Sequence, residues 1–182
     1  MQNMETMRGL MMGRFQPFHL GHLDLVKQIL SECDEVIIAI TSSQFNYLEK
    51  DPFTAGERIE MIHQSLKDAG VDLSRCFIVA IENQSNIATW GSYLEASLPK
   101  FDKVYSGNDY VSMLLADSGC DVITPKFLER EKFNASKIRK LMIENKEWKD
   151  YVPPAIASII EKINGIKRLQ TISSSDTKPT EY

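Results

Sequence analysis

Two of the three histidines in the chain, His19 and His22, stand on either side of Gly21 in the stretch Gly13-Arg14-Phe15-Gln16-Pro17-Phe18-His19-Leu20-Gly21-His22. Imidazole and guanidinium N–H groups are donors suited to phosphate oxygens, and Arg14 adds a permanent positive charge. Gly13 permits close approach of backbone to a ligand, and Gly21 lets the chain turn tightly between the two rings. With 3 His and 9 Gly in 182 residues, chance would supply about 0.002 His-x-Gly-His strings, so the spacing carries information. Two plainer readings stand beside the anion site: side-chain capping of the loop, or a metal pair. No Glu follows the first His as in HExxH, and no further His or Cys cluster completes a coordination shell, so no metal ligand is named. His63, alone on an amphipathic stretch, reads as a partly exposed structural residue.

A second set of donors lies far along the chain. Ser136 at a predicted helix N-terminus, with Arg139 one turn on and Lys132, Lys137 and Lys140 around them, reads as a compact anion site or as a plain N-cap with a solvated basic face.

The elements that must position these residues follow from periodicity. Leu10 to Met12 reads as a short strand, and Leu23 to Leu30 repeats at helical spacing, which puts the His-x-Gly-His segment between a strand and the helix after it. In open α/β sheets that is where ligands bind, beside a helix N-terminus with unpaired N–H groups. Glu35 to Thr41 is a β-branched run suited to a buried parallel strand. Thr54 opens a helix with Glu57 three residues on, a capping box, and Gly70 stops it. Strands are predicted at Cys76 to Ile81, Lys103 to Ser106 and Asp121 to Thr124. Helices are predicted at Trp90 to Leu98, Tyr110 to Ala116, Ser136 to Glu144 and Ala155 to Asn164, the last ended by Gly165. Strands alternating with helices of these lengths predict a Rossmann-like α/β fold, an open parallel sheet with helices on both faces. Residues 1–169 read as one domain. From Gln170 to Tyr182 the composition turns polar, and this tail is expected to be mobile.

Composition closes several function classes. Hydrophobic residues make up 43% and charged residues 25% of the chain, enough for a core without disulfides or a structural metal. A net charge of −4 disfavours nucleic-acid binding by bulk phosphate neutralisation. Three widely spaced cysteines without a CxxC pair suit a reducing cytoplasm. No basic leader opens the chain, and the longest apolar run, Val36 to Ile40, is far short of a bilayer span, so secretion and membrane insertion are not expected. No GxGxxG follows the first strand, which disfavours a NAD-dependent dehydrogenase, and no GxxxxGK[ST] marks a P-loop.

The stretch Gly13 to His22 resembles the first signature of the HxGH nucleotidyltransferases, in particular the archaeal-type nicotinamide-nucleotide adenylyltransferases. Asp51-Pro52-Phe53-Thr54-Ala55-Gly56-Glu57-Arg58 is similar to the segment opening that family's second main helix. Val104-Tyr105-Ser106-Gly107-Asn108 is similar to its strand-end loop near the nucleotide, and Phe133-Asn134-Ala135-Ser136-Lys137-Ile138-Arg139 sits where its second signature falls. The similar segments span most of residues 8–165. In that second signature Asn134 and Ala135 depart from the usual pattern, while Ser136 and Arg139 carry over.

The resemblance implies transfer of the adenylyl group of ATP to nicotinamide mononucleotide (NMN), giving NAD and pyrophosphate. It assigns Arg14, His19 and His22 to the α- and β-phosphates and Ser136 and Arg139 to the β- and γ-phosphates. Gly13, Phe15 and Gly21 would line the nucleotide site, Ser106, Gly107 and Asn108 would lie near adenine or ribose, and Trp90 would stack on the nicotinamide ring or else pack in the core. Lys50 would reach phosphate or remain a solvated loop charge. Mg2+ would be held mainly by ATP phosphates, and the chain would assemble as a homo-oligomer, commonly a hexamer in enzymes it resembles. Two alternatives remain open at this point: the same chemistry on a pantetheine, flavin or polyol phosphate, or a non-catalytic nucleotide-binding regulator.

Overall fold

The computed structural model describes residues 6–115, 120–126 and 131–177. Its centre is strand β1 (Arg8–Gly13), followed by α1 (Leu20–Glu32), β2 (Glu35–Ile40), α2 (Ala55–Asp68), β3 (Cys76–Ala80), α3 (Trp90–Ser97), β4 (Lys103–Tyr105), α4 (Asp109–Leu115), β5 (Asp121–Ile123), α5 (Ala135–Ile143), α6 (Pro154–Lys162) and α7 (Gly165–Ser174). The strands form one all-parallel sheet in the order β3-β2-β1-β4-β5. The order reverses at β1, so the loop after β1 opens at the crevice where such sheets take ligands.

Side chains alternate across the sheet and sort into two cores. Met11, Val36, Ile38 and Ile40 face a cluster completed by α1, α2, α5, α6 and α7 through Ile29, Met61, Ile138, Ile156 and Leu169. Leu10, Ile37, Ala39 and Val104 face a second cluster closed by Leu94 of α3 and Leu115 of α4. Helices therefore cover both faces, as the continuous β-branched run of β2 requires. The capping box of α2 is formed: Thr54 Oγ1 accepts from Glu57 N at 3.2 Å, and Thr54 N donates to Glu57 Oε2 at 2.9 Å.

The C-terminal part departs from expectation. Gly165 does not end the fold; the chain turns at Asn164, whose φ is 53°, and starts a further helix, α7. Ile166, Leu169 and Ile172 lie on one face of it, and Leu169 is fully buried. Arg168 grips Glu57 bidentately at 2.7 and 2.8 Å, donates to the Pro52 carbonyl at 3.2 Å, and lies 4.7 Å over the Tyr47 ring. The expected boundary at Gln170 thus falls inside α7. Ala116, residues 1–5 and residues 178–182 of the expected tail lie outside the described residues. Among the described residues no helix is long and apolar enough to cross a membrane.

Candidate active site

The loop from β1 to α1 builds one wall of a cleft of about 270 Å3, with Arg14, Phe15, His19, Gly21 and His22 on it. His19 is the N-cap of α1 in extended conformation, and no acidic residue occupies the first turn, so the positive end of the helix is left to a ligand. The two imidazoles stack with centroids 3.5 Å apart, and Phe15 meets His22 edge-on at 4.8 Å. Gly21 fits closely here: a Cβ would stand 3.1 Å from Phe133 Cβ and 3.3 Å from His19 Nδ1, so those side chains would have to give by a few tenths of an ångström. His22 Nδ1 accepts from the His19 backbone N–H at 3.2 Å, which assigns its ring proton to Nε2. His19 Nδ1 is buried without a hydrogen-bond partner among the described residues.

Burial lowers the His19 pKa from 6.5 to about 4 and pushes His22 well below 6.5, with the neighbouring His19 adding to the latter. Both rings are neutral N–H donors at pH 7 rather than cations. Because the folded chain resists protonation that the unfolded chain accepts, the unfolded state binds more protons between pH 6.5 and about 4. Stability is full above pH 6.5 and falls as acid passes through that window. Thermal scans are expected to show Tm dropping across it, and a His19→Ala/His22→Ala double variant is expected to drop less steeply; an equal slope would remove this account.

The opposite wall comes from α5, with Asn134, Ser136 and Arg139 on the same cleft. Arg139 is 7% exposed, donates through Nη1 to the Gln16 carbonyl at 2.8 Å and through Nη2 to Ser136 Oγ at 3.2 Å. Burial, then the charge of Arg14, lowers its pKa. The imidazole pair and this distant guanidinium therefore converge. The helix cap differs from expectation: Asn134, not Ser136, caps α5, its Oδ1 accepting from Ser136 N at 2.9 Å and Lys137 N at 3.3 Å. An Asn two residues earlier competes well for this position, and it frees the Ser136 hydroxyl to orient Arg139.

Beneath the cleft sit groups that spacing did not single out. Gln16 pairs its side-chain amide with both Phe53 N–H and C=O, at 3.0 and 2.9 Å. Wholly buried Arg58 donates to the carbonyls of Arg14 and Thr41 at 2.9 Å, Ser42 at 3.1 Å and Thr54 at 3.3 Å. Burial lowers its pKa to about 10, so it stays charged at pH 7 and clasps the ends of β1 and β2 to α2. Asp51 faces Arg14 across 3.5 Å. A second cleft of about 360 Å3 shares Arg14 and is lined also by Ser42, Lys50, Asp51 and Asn83.

Other expected site residues lie elsewhere. Gly13 ends β1 just before Arg14. Ser106, Gly107 and Asn108 follow β4 and fold on themselves, Asn108 N donating to Ser106 Oγ at 3.2 Å; they line neither cleft. Trp90 starts α3, packs against the second core cluster and lines neither cleft. Lys50 is exposed on the rim of the second cleft, and His63 is exposed on α2.

Comparison with known proteins gives the family and the fold. The cytidylyltransferase-like family matches residues 10–178. A nicotinamide-nucleotide adenylyltransferase of Caldivirga maquilingensis is 46% identical over 176 residues, covering 96% of this chain and 99% of its own. The enzyme of that name from Saccharolobus solfataricus is 43% identical over 169 residues, covering 93% and 98%. In fold, the chain matches a bifunctional NMN adenylyltransferase/ADP ribose pyrophosphatase of Francisella tularensis, solved with AMP and a manganese ion, at a TM-score of 0.78 and 23% identity, over 91% of this chain and 52% of that one. The chain accordingly belongs to the cytidylyltransferase-like family, among the nicotinamide-nucleotide adenylyltransferases.

Proposed function

We infer that the chain runs the reaction for which the similar adenylyltransferases are named, joining NMN and ATP to give NAD and pyrophosphate. The observation that carries this is the convergence of Arg14, His19, His22 and Arg139 on one cleft. The acceptor's 5′-phosphate oxygen bonds to the α-phosphorus of ATP while the bond from that phosphorus to the bridging β-phosphate oxygen breaks. A phosphate monoester has its second pKa near ~6, so the nucleophile is an anion at neutral pH and needs no general base. What remains for the protein is alignment and neutralisation of charge.

The residues suit those tasks. Neutral His19 and His22 donate N–H groups to the transferring phosphoryl oxygens, and Arg14 spans the α- and β-phosphates. Arg139, oriented by Ser136, takes the β- and γ-phosphates that leave. Gly13, Phe15 and Gly21 shape the nucleotide wall. Ser106, Gly107 and Asn108 follow β4, which neighbours β1 in the sheet, and we assign them to adenosine. Trp90, shortly after Asn83 of the second cleft, is assigned to the cationic nicotinamide ring, with Lys50 toward the acceptor phosphate. The described residues include no group of three or more metal-ligating side chains. That donor set fits Mg2+ carried by the triphosphate and water, where it would screen the phosphate charges. Three cysteines without a disulfide fit a cytoplasmic setting.

Pyrophosphate release from ATP with Mg2+ and a panel of phosphate acceptors tests the reading. NMN is expected to support release with equimolar NAD. Preference for pantetheine, flavin or polyol phosphate would move the chain to the alternative acceptors, and ATP binding with no release for any acceptor would make it a nucleotide-binding regulator.

A further inference from the structure

Asp51 is the anomalous group beside the cleft. It is 5% exposed, and its Oδ1 accepts no hydrogen bond among the described residues. Its Oδ2 meets Arg14 Nη1 at 3.5 Å, the outer limit of a hydrogen bond. A buried carboxylate serving only the fold would be expected to have both oxygens satisfied, since an unmet acceptor lowers stability.

The surrounding guanidiniums explain why a carboxylate is there. Arg14 disfavours the charged forms of both Arg58 and Arg139, and Asp51 opposes that effect on each. Arg58 is committed to four backbone carbonyls, and Arg139 to Gln16 and Ser136. Arg14 is different. Its carbonyl is fixed by Arg58, while its side chain is 42% exposed, borders both clefts, and has its long contact with Asp51. The main chain is anchored and the charged head can swing.

We propose that Asp51 is a positioning residue that parks Arg14 through a weak ion pair and yields it to a substrate phosphate, standing in for that phosphate between turnovers. This rests on the assignment of Arg14 to phosphate made above. A phosphate offers the guanidinium a shorter, bidentate partner and supplies the negative charge that the arginine group needs. Because Asp51 competes with the bound anion for the Arg14 guanidinium, it limits the affinity for product pyrophosphate and speeds its departure.

The proposal fixes the sign of an effect that a plain structural anchor would reverse. Pyrophosphate binding is measured by calorimetry on wild type, Asp51→Asn, Arg14→Met and the double variant. Asp51→Asn is expected to bind pyrophosphate on the order of tenfold more tightly, because a competing anion is removed. In the Arg14→Met background the same change is expected to give less than about a threefold gain, because the competition runs through Arg14. Unchanged or weaker binding by Asp51→Asn overturns the proposal, as does an equal gain in both backgrounds, which would reflect simple loss of a like charge. If Arg14→Met leaves pyrophosphate affinity intact while NAD is still formed, the proposal fails through Arg14 alone and the adenylyltransferase reading stands. Asp51→Ser is read in the same way should Asp51→Asn not fold.

Discussion

Replacing His19 by alanine is expected to lower kcat for NAD formation by about 10²- to 10³-fold, the effect of removing one preorganised donor to a charged transition state, about 3 to 4 kcal/mol. The fold should survive the change. Among the described residues His19 Nδ1 has no hydrogen-bond partner to lose, and the backbone N–H that caps against His22 remains in alanine. Activity and stability are therefore expected to separate: Tm shifts by a few degrees while turnover collapses. Steady-state pyrophosphate release beside a thermal scan checks both. Near wild-type turnover would remove His19 from the phosphate-binding set.

The second large effect is on stability. Arg58→Met would leave the carbonyls of Arg14 and Thr41 without the donor they now share, while those of Ser42 and Thr54 would lose one of two donors and keep the backbone N–H groups of Phe45 and residue 58. Leaving buried partners of a charged group unpaired costs about 3 to 5 kcal/mol. In a chain of this size that corresponds to a Tm lower by roughly 10 °C. Arg58→Lys keeps the charge but reaches fewer of the four carbonyls, so it is expected to fall between the two. Chemical denaturation of the three proteins gives the order directly. A loss under about 1 kcal/mol for Arg58→Met would mean that these carbonyls find other partners and that the clasp is not what joins β1 and β2 to α2.

The sheet was readable because its signals are local. The run at Glu35–Ile40, the alternation of strands with amphipathic helices and the Thr54/Glu57 box each declare themselves within a few residues, and their expected ends lie within three positions of those in the structure. The anion site at Arg14, His19 and His22 was reachable from motif spacing combined with the strand-end rule for open sheets, whereas its meeting with Arg139 was implied only by the resemblance of residues 133–139 to the second family signature. Gln16 and Arg58 were not. Both act through backbone groups of residues distant in sequence, and nothing in a one-dimensional pattern marks a side chain whose partners are carbonyls. Asp51 has the same character, since its importance comes from three arginines gathered by the fold. Helix α7 was missed because Asn164 adopts a left-handed turn that lets Gly165 begin a helix where glycine more often ends one. The cap of α5 was misplaced by two residues because Asn134 and Ser136 are both good capping types, and only the turn geometry selects between them.

The ties that complete the cleft span long stretches of chain: Arg139 reaches Gln16 across 123 residues, and Arg168 reaches Glu57 across 111. On a translating ribosome, β1, β2 and the imidazole pair emerge early, but the loop at residues 47–53 gains its brace only after Arg168 has cleared the exit tunnel. A nascent chain arrested before that point would own its sheet and the residues that line the cleft but not the brace on residues 47–53, so it should be the species most exposed to proteases and chaperones.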